Sequence, residues 1–344
     1  MTWDIDNESY KSGHGSGSVQ LNRDGSPTAM MFNPYTRHRL AIMCGEAPEY
    51  QEKMIVLAKR LASCGLPGLY LDMIGSAAFS PCFNPEHHHP HGGGVYQREG
   101  YLNYVMKIRR ENPQLLLSTE YANEMMDVFD SMIILDTSAE RCYKSDDFEP
   151  VPAYSAVYHG RGVTMFGNYA MPDFIPPWDP AWPPDDRWKH EKNWNALFDK
   201  QFFLEMARTV VWGMQPCVCN LKPEHATDPA YAAEYAFILE SAQFYYAHRD
   251  FLYDGTMLSP ECFHCESVIA DFMKRGIFTR EAESGSVRKS YPAVLHSVWS
   301  SLDGRRALVT ANYTNERQTF SYRNADGTKL KASMAPHSYR LLEF

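Results

Sequence analysis

The sequence has no excess of basic residues. It contains 33 lysines and arginines against 42 aspartates and glutamates, a formal net charge of −9 at pH 7. No basic stripe is present that could follow a phosphate backbone. We therefore expect no nucleic-acid partner.

Membrane and export signals are also missing from the sequence. The first ten residues contain three acids and lack the basic and apolar segments of a secretory leader. No apolar run approaches the length of a membrane-spanning helix. From these absences we expect a cytoplasmic protein with no membrane partner.

Cysteine is too scarce for a disulfide-bonded scaffold, with 8 residues in 344. Cys217 and Cys219, followed by Cys262, His264 and Cys265, could hold zinc, but the paired Cys-x-x-Cys signature is absent. We interpret these cysteines as buried structural thiols. The sequence therefore predicts no metal and no other cofactor.

From about residue 46 the sequence alternates amphipathic helices with short apolar strands. A helix that begins at Pro48 and stops at Gly65 precedes a strand over 68–71, and a helix over 97–111 precedes a strand over 115–119. Apolar strands separated by helices are typical of a covered parallel sheet. Because no Gly-x-Gly-x-x-Gly turn is present, a barrel is favoured over a doubly wound sheet.

The predicted fold is α/β: a (β/α)8-type TIM barrel that lacks its first strands, followed by a small antiparallel β-sandwich. Five or six strands are recognisable, including 154–158 and 209–213, against the eight of a closed barrel. Helices are expected near 193–207 and 230–248.

Three regions follow from this pattern. Residues 1–45 form an N-terminal loop and hairpin segment, in which 11–18 read as an exposed loop and Asp24-Gly25 as a hairpin turn. Residues 46–255 form the barrel. Residues 256–344 form the β-sandwich, with turns at Asp303-Gly304 and Asp326-Gly327.

The strongest chemical signal is that acids end the predicted strands. Asp72, Glu120 and Asp136 each follow a strand, and the C-terminal ends of parallel strands open on one face. Asp136 is explained by helix capping, since the next four residues form a capping-box pattern. Asp72 has no helix directly after it, and Glu is a poor N-cap residue. A facing pair of carboxyl groups suits glycoside hydrolysis, so we favour a catalytic role for Asp72 and Glu120.

The loop after Asp72 contains four histidines between His87 and His91, followed by three glycines. Consecutive residues of an extended loop point in different directions, which makes them poor at closing one coordination sphere. We therefore predict a single substrate-contacting histidine, His91. A metal-dependent hydrolase that uses His87 to His91 is a third and less favoured interpretation.

Aromatic residues supply further candidates for sugar binding. Trp178 and Trp182 lie on a proline-rich segment, where they could stack on sugar rings or anchor their own loop. Tyr70, Tyr96 and Asn123 complete the predicted substrate-binding set.

Several segments in this order resemble the core of a glycoside-hydrolase-like barrel family that is distantly similar to bacterial endo-α-N-acetylgalactosaminidases. The segments are Met43 to Gln51, Gly68 to Gly75, His91 to Gly94 with Tyr96, Glu99 to Tyr101, Ser118 to Glu120 with Asn123, and Ala311 to Thr314. The resemblance implies a catalytic barrel followed by a β-sandwich. It also implies a retaining glycosidase with Asp72 as nucleophile and Glu120 as acid/base. The chain departs from the family pattern at Tyr50 and Tyr121, and in its missing early strands.

The first interpretation is thus a retaining glycoside hydrolase acting on an oligosaccharide or a glycoconjugate. The second is a non-catalytic carbohydrate-binding or assembly protein derived from a truncated barrel. An incomplete barrel leaves sheet edges open, and a second copy of the chain or the N-terminal hairpin would have to cover them. A carbohydrate partner is expected in the first case, and a homo-oligomer in the second.

Overall fold

The computed structural model describes most of the chain. The described residues are 2–33, 38–75, 80–120, 128–134, 150–160, 164–170, 200–219, 221–259, 262–273, 286–324 and 326–344. They fall into two compact units, one formed by the described residues up to Met132 and the other by those from Ile133 onward.

The first unit combines a small antiparallel sheet, two long helices and the first parallel strands. Its elements are β1 (Thr2–Asp4), α1 (Glu8–Lys11), α2 (His14–Ser18), β2 (Ala29–Asn33), β3 (His38–Ile42), α3 (Pro48–Ser63), β4 (Gly68–Leu71), α4 (Tyr96–Glu111), β5 (Leu116–Glu120) and the start of β6 (Ser131–Ile134). Strands β1, β3 and β2 form the antiparallel sheet, in that order.

Helices α3 and α4 confirm the periodicity of the sequence. Pro48 occupies the first turn of α3, where its missing N–H group costs nothing. The chain leaves this helix through Gly65, which has a φ of 81°. In α4 the side chains of Tyr101, Tyr104 and Ile108 are almost fully buried, at the spacing of one helix face.

The parallel strands confirm the α/β prediction. Strand β4 pairs in parallel with β5, and the hydrogen-bonded order of the parallel sheet is β4-β5-β6, continued by β7 (Thr164–Ala170) and β8 (Gln215–Cys219). Within the described residues β4 and β8 are the end strands, so closure into a barrel is not seen there.

The second unit continues the helices and adds antiparallel strands. Its remaining elements are α5 (Ala153–Tyr158), α6 (Gln201–Val211), α7 (Ala232–Ala247), α8 (Arg249–Leu252), β9 (Thr256–Leu258), β10 (Cys262–Cys265), β11 (Ser267–Met273), β12 (Ser286–Pro292), β13 (Val294–Ser300), β14 (Arg306–Asn312), β15 (Gln318–Arg323), β16 (Lys329–Met334) and β17 (Ser338–Glu343). No helix within the described ranges has the length and apolar character needed to cross a membrane.

The C-terminal strands form antiparallel sheets, as the alternating pattern predicts. One sheet has the order β17-β14-β13-β9, a second has the order β10-β15-β16, and β11 pairs with β12. Val298 and Leu308 of the first sheet share a buried cluster with Phe320 and Tyr322 of the second. Both predicted turns are present, with Gly304 and Gly327 in the left-handed region at φ values of 87° and 84°.

Three local predictions are wrong. Residues 154–158 belong to helix α5, and residues 209–213 include the end of α6, which is followed by strand β8. Every residue of α6 is buried, and the short apolar run from Val210 to Trp212 at its end does not by itself distinguish a helix from a strand. Residues 11–18 contain the short helix α2 in place of an exposed loop, and Ser18 is buried there.

Candidate functional site

The two predicted catalytic acids lie at equivalent positions on neighbouring strands. In the parallel pair, Leu71 of β4 is the register partner of Thr119 of β5, an offset of 48 residues. The same offset relates Asp72 to Glu120, one position further along. Adjacent parallel strands lie about 4.8 Å apart, so this register gives the two acids neighbouring positions in the sheet at its C-terminal edge.

Burial alternates along these strands and separates two faces. Leu71, Leu117 and Thr119 are buried, whereas Tyr70 is 46% exposed and Leu116 is 61% exposed. Glu120 lies on the accessible face of β5 and is half-buried, and Asp72, two residues beyond Tyr70, is exposed. Both acids are therefore accessible to a ligand.

Thr119 holds the turn that carries Asp72. Its buried hydroxyl donates a hydrogen bond to the Leu71 carbonyl at 2.7 Å and accepts one from the Gly75 N–H at 3.1 Å. Met73, the residue after Asp72, has a φ of 65°, which is uncommon for a non-glycine residue. Such backbone conformations persist where the surroundings hold them, and they concentrate at functional sites.

The other described candidates are distributed differently. Tyr70 shares the accessible face with the acids, and His91 is exposed on its loop. Tyr96 is only 6% exposed. Its hydroxyl donates to the Gly92 carbonyl and accepts from the Cys82 N–H, so its hydrogen-bonding capacity is used within the protein. The structure thus places Tyr96 as a support of the histidine loop.

The remaining predictions concern residues that the structure does not describe. Asn123, Asp136, Trp178 and Trp182 lie outside the described residues.

The histidine loop contributes to a buried cluster that sequence reasoning missed. Cys44, Cys82, His87 and His89 have ligating atoms that all lie within 4.8 Å of one another. The two cysteines are fully buried, and the two histidines are at most 9% exposed. The hydrogen bond between the thiols lowers the pKa of Cys82, whereas the same bond and burial raise the pKa of Cys44.

Alternation along the loop was the signal available in the sequence. Residues 87 and 89 are two apart and, on an extended segment, share one side, whereas the intervening His88 is exposed. In the sequence the histidines form one run, and Cys82 lies outside that run, five residues before His87. Cys44 lies 38 residues before Cys82, and sequence spacing does not reveal that proximity.

The second unit contains a different set of sulfur and imidazole groups. Among the described residues, Cys44 and its three neighbours are the one group of three or more such side chains placed to hold a metal ion, and Cys262, His264 and Cys265 are not part of it. His264 and His296 instead line a cavity of about 440 Å³. Burial lowers the pKa of His296 to about 4, so this histidine is neutral near pH 7. Asp72 and Glu120 do not line this cavity.

Comparison with known proteins finds a matching family model and relatives that are named as glycoside hydrolases. Residues 1–170 match a family described as a domain of unknown function (DUF6259). A Bacteroides thetaiotaomicron protein named "Putative glycoside hydrolase" is 21% identical over 336 residues, which are 96% of this chain and 43% of the relative. A Monosiga brevicollis protein of similar name is 31% identical over 126 residues, 34% of this chain and 10% of the relative.

Among solved structures, the chain is similar to the α-N-acetylgalactosaminidase NagBb from Bifidobacterium bifidum in complex with GalNAc. It is 14% identical, with a TM-score of 0.48, and the match covers 96% of this chain and 41% of that chain. The chain spans less than half of the length of the curated relatives that it matches.

Proposed function

We propose that this chain carries the catalytic centre of a retaining glycoside hydrolase, with Asp72 as nucleophile and Glu120 as acid/base. The observation that carries the proposal is the register of β4 on β5, which gives the two acids equivalent positions at neighbouring strand ends. The names of both curated relatives support the reaction class.

The strand spacing favours the retaining over the inverting mechanism. Retaining enzymes have their two carboxyl groups about 5–5.5 Å apart, whereas inverting enzymes separate them by about 6.5–9.5 Å to admit a water molecule. Side chains at equivalent positions on adjacent strands start from backbones about 4.8 Å apart. That starting separation suits the shorter of the two distances.

The reaction proceeds in two balanced steps. In the first, a carboxylate oxygen of Asp72 bonds to the anomeric carbon while the bond to the leaving oxygen breaks and Glu120 gives that oxygen its proton. In the second, the Glu120 carboxylate takes a proton from water, and the water oxygen attacks the anomeric carbon. The bond to Asp72 then breaks, and both acids return to their starting states.

The neighbouring residues would bind the sugar. Tyr70 offers an aromatic face beside the acids, and His91 is accessible on its loop. Asn123, Trp178 and Trp182 are proposed as further contacts to an oligosaccharide or a glycoconjugate.

Substitution of each acid tests the proposal. Asp72→Asn removes the nucleophile, and Glu120→Gln removes the proton donor, so each should lower turnover of a responsive 4-nitrophenyl glycoside by about 10²–10⁴-fold. A panel that includes the α-N-acetylgalactosaminide is the appropriate substrate set, given the sequence resemblance. A 2,4-dinitrophenyl leaving group departs without a proton and should restore the first step in Glu120→Gln only.

The matched control is Glu111→Gln, because Glu111 is exposed at the end of α4. This variant should retain the wild-type rate. If Asp72→Asn and Glu120→Gln hydrolyse the responsive substrate as fast as this control does, the catalytic assignment is wrong.

A non-catalytic carbohydrate-binding or assembly protein is the second candidate. The exposure of Asp72 favours it, since nucleophiles of hydrolases commonly act in sites that exclude water. In this case a second copy of the chain would cover the end strand β4. Sugar binding by isothermal titration calorimetry without turnover, together with a dimer in light scattering, would support this candidate over the first.

A further inference from the structure

We propose that Cys44, Cys82, His87 and His89 form a structural zinc site. Zinc bound at about 2.3 Å to sulfur and about 2.0–2.1 Å to nitrogen in a tetrahedron requires ligand atoms roughly 3.3–3.8 Å apart. The Cys44 Sγ lies 3.3 Å from the His89 Nε2, and the Cys82 Sγ lies 3.5 Å from the His87 Nδ1. The four ligand atoms are already gathered within 4.8 Å.

Backbone hydrogen bonds position the ligands on two separate segments of the chain. Cys44 lies between β3 and α3, and its N–H donates to the Ser18 carbonyl at 2.8 Å. Cys82 and Gly92 close the histidine loop with a pair of backbone hydrogen bonds of 3.3 and 2.9 Å. The cluster therefore joins two segments that are distant in sequence.

Both histidines are oriented to present a lone pair to the cluster. The His87 Nε2 lies 2.9 Å from the Gly17 carbonyl, and the His89 Nδ1 lies 2.8 Å from the Pro90 carbonyl. A carbonyl oxygen can only accept a hydrogen bond, so these two ring nitrogens carry the protons. The opposite nitrogens, His89 Nε2 and His87 Nδ1, face the thiols of Cys44 and Cys82. Metal-ligating histidines typically donate their second N–H to a backbone carbonyl in this manner.

Aromatic packing fixes the His89 ring further. Tyr96 stacks on it with a centroid separation of 3.8 Å and an interplanar angle of 5°. The same tyrosine holds the ends of the loop through the Cys82 N–H and the Gly92 carbonyl. The ring plane, and with it the direction of the free nitrogen, is thus set by the surrounding structure.

The chemistry of the ligand set points to zinc in a structural role. Two thiolates and two imidazoles are a common tetrahedral set for this metal. Four protein ligands fill the coordination sphere, whereas a catalytic zinc keeps one position for water or substrate. Since the ligand atoms are buried, the site would fix the histidine loop to the N-terminal segment and would not bind substrate. The site does not depend on the glycosidase proposal, and a chain inactive on every glycoside would still bind zinc.

Metal analysis of the purified full chain tests the proposal, with zinc itself as the probe. After expression with zinc in the medium and dialysis without a chelator, inductively coupled plasma mass spectrometry should find about one zinc per chain. Zinc should be lost in His89→Ala and in Cys44→Ser. The matched controls are His88→Ala and Cys64→Ser, whose side chains are exposed, and they should retain it.

X-ray absorption at the zinc edge of the wild-type chain keeps the test independent of how the variants fold. The proposal predicts two sulfur ligands at about 2.3 Å and two nitrogen ligands at about 2.0–2.1 Å. A zinc shell without sulfur, a stoichiometric metal other than zinc, a disulfide between Cys44 and Cys82, or a wild-type chain that takes up no zinc would each overturn it. Zinc loss in His88→Ala together with retention in His89→Ala would do the same.

Discussion

The hydroxyl of Thr119 determines how the turn with Asp72 is held. It satisfies both the Leu71 carbonyl and the Gly75 N–H and is fully buried. Thr119→Val keeps the shape of the side chain but removes the hydroxyl that bonds to both groups. We expect the free energy of unfolding to fall by about 1–3 kcal/mol, measured by urea denaturation.

Enzyme activity provides a second test of the role of the Thr119 hydroxyl. Because the turn positions Asp72, Thr119→Val should lower kcat on a responsive glycoside more than it raises KM. Thr119→Ser keeps the hydroxyl and serves as the control, with most of the stability and kcat retained. Equal losses in both variants would show that the hydroxyl does not hold the turn.

The sequence predicts the two acids as candidate site residues, but it does not predict the proposed zinc ligands. Asp72 and Glu120 could be selected because each directly follows a strand, a local property, and the structure does place both at strand ends. The pairing of Cys44 with His89 depends on the path of the chain between them. Tyr96 was predicted to bind substrate, but its burial and hydrogen bonds make it a support of the histidine loop.

At the scale of elements, the contact between α4 and the segment before α3 depends on two glycines. A Cβ atom at Gly100 would lie 2.3 Å from the carbonyl carbon and oxygen of Gly45, which are backbone atoms that cannot rotate away. Gly100→Ala should therefore destabilise the chain by about 1–3 kcal/mol, as overpacking does in other cores.

The control for this substitution is Gly93→Ala, because a Cβ atom there meets nothing within 4 Å. Chemical denaturation should show little change for Gly93→Ala. If Gly100→Ala is equally harmless, α4 does not approach the Gly45 backbone as closely as the structure indicates. Since Cys44 precedes Gly45, the zinc content of Gly100→Ala would also show whether α4 packs against the Gly45 backbone.

Element prediction succeeded where one face of a segment meets water. Helices α3 and α4 and strands β15 and β17 carry periodic polar residues, and their positions were predicted to within a few residues. Helix α6 is buried over its whole length, and its end, a short run of β-branched and aromatic residues, was mistaken for a strand. Helix α5 is only six residues long, too short for periodicity to decide its type.

At the scale of the whole molecule, the sequence predicted the order of a parallel sheet followed by antiparallel strands, and the described residues confirm it. Closure of the parallel sheet could not be predicted, because it depends on strand tilt and on pairings at the two ends. The same uncertainty in the number of strands led to the hypothesis that another copy of the chain covers an open edge.

The central claim is that Asp72 forms a covalent bond to the sugar, and mass spectrometry tests it most directly. A 5-fluoro glycosyl fluoride of the sugar that the aryl glycoside panel identifies should accumulate as a glycosyl-enzyme, because the ring fluorine slows both steps and the fluoride leaving group accelerates the first. Peptide mapping should then place one sugar on Asp72. Turnover of the parent glycoside with no label, or with the label on another residue, would contradict the account.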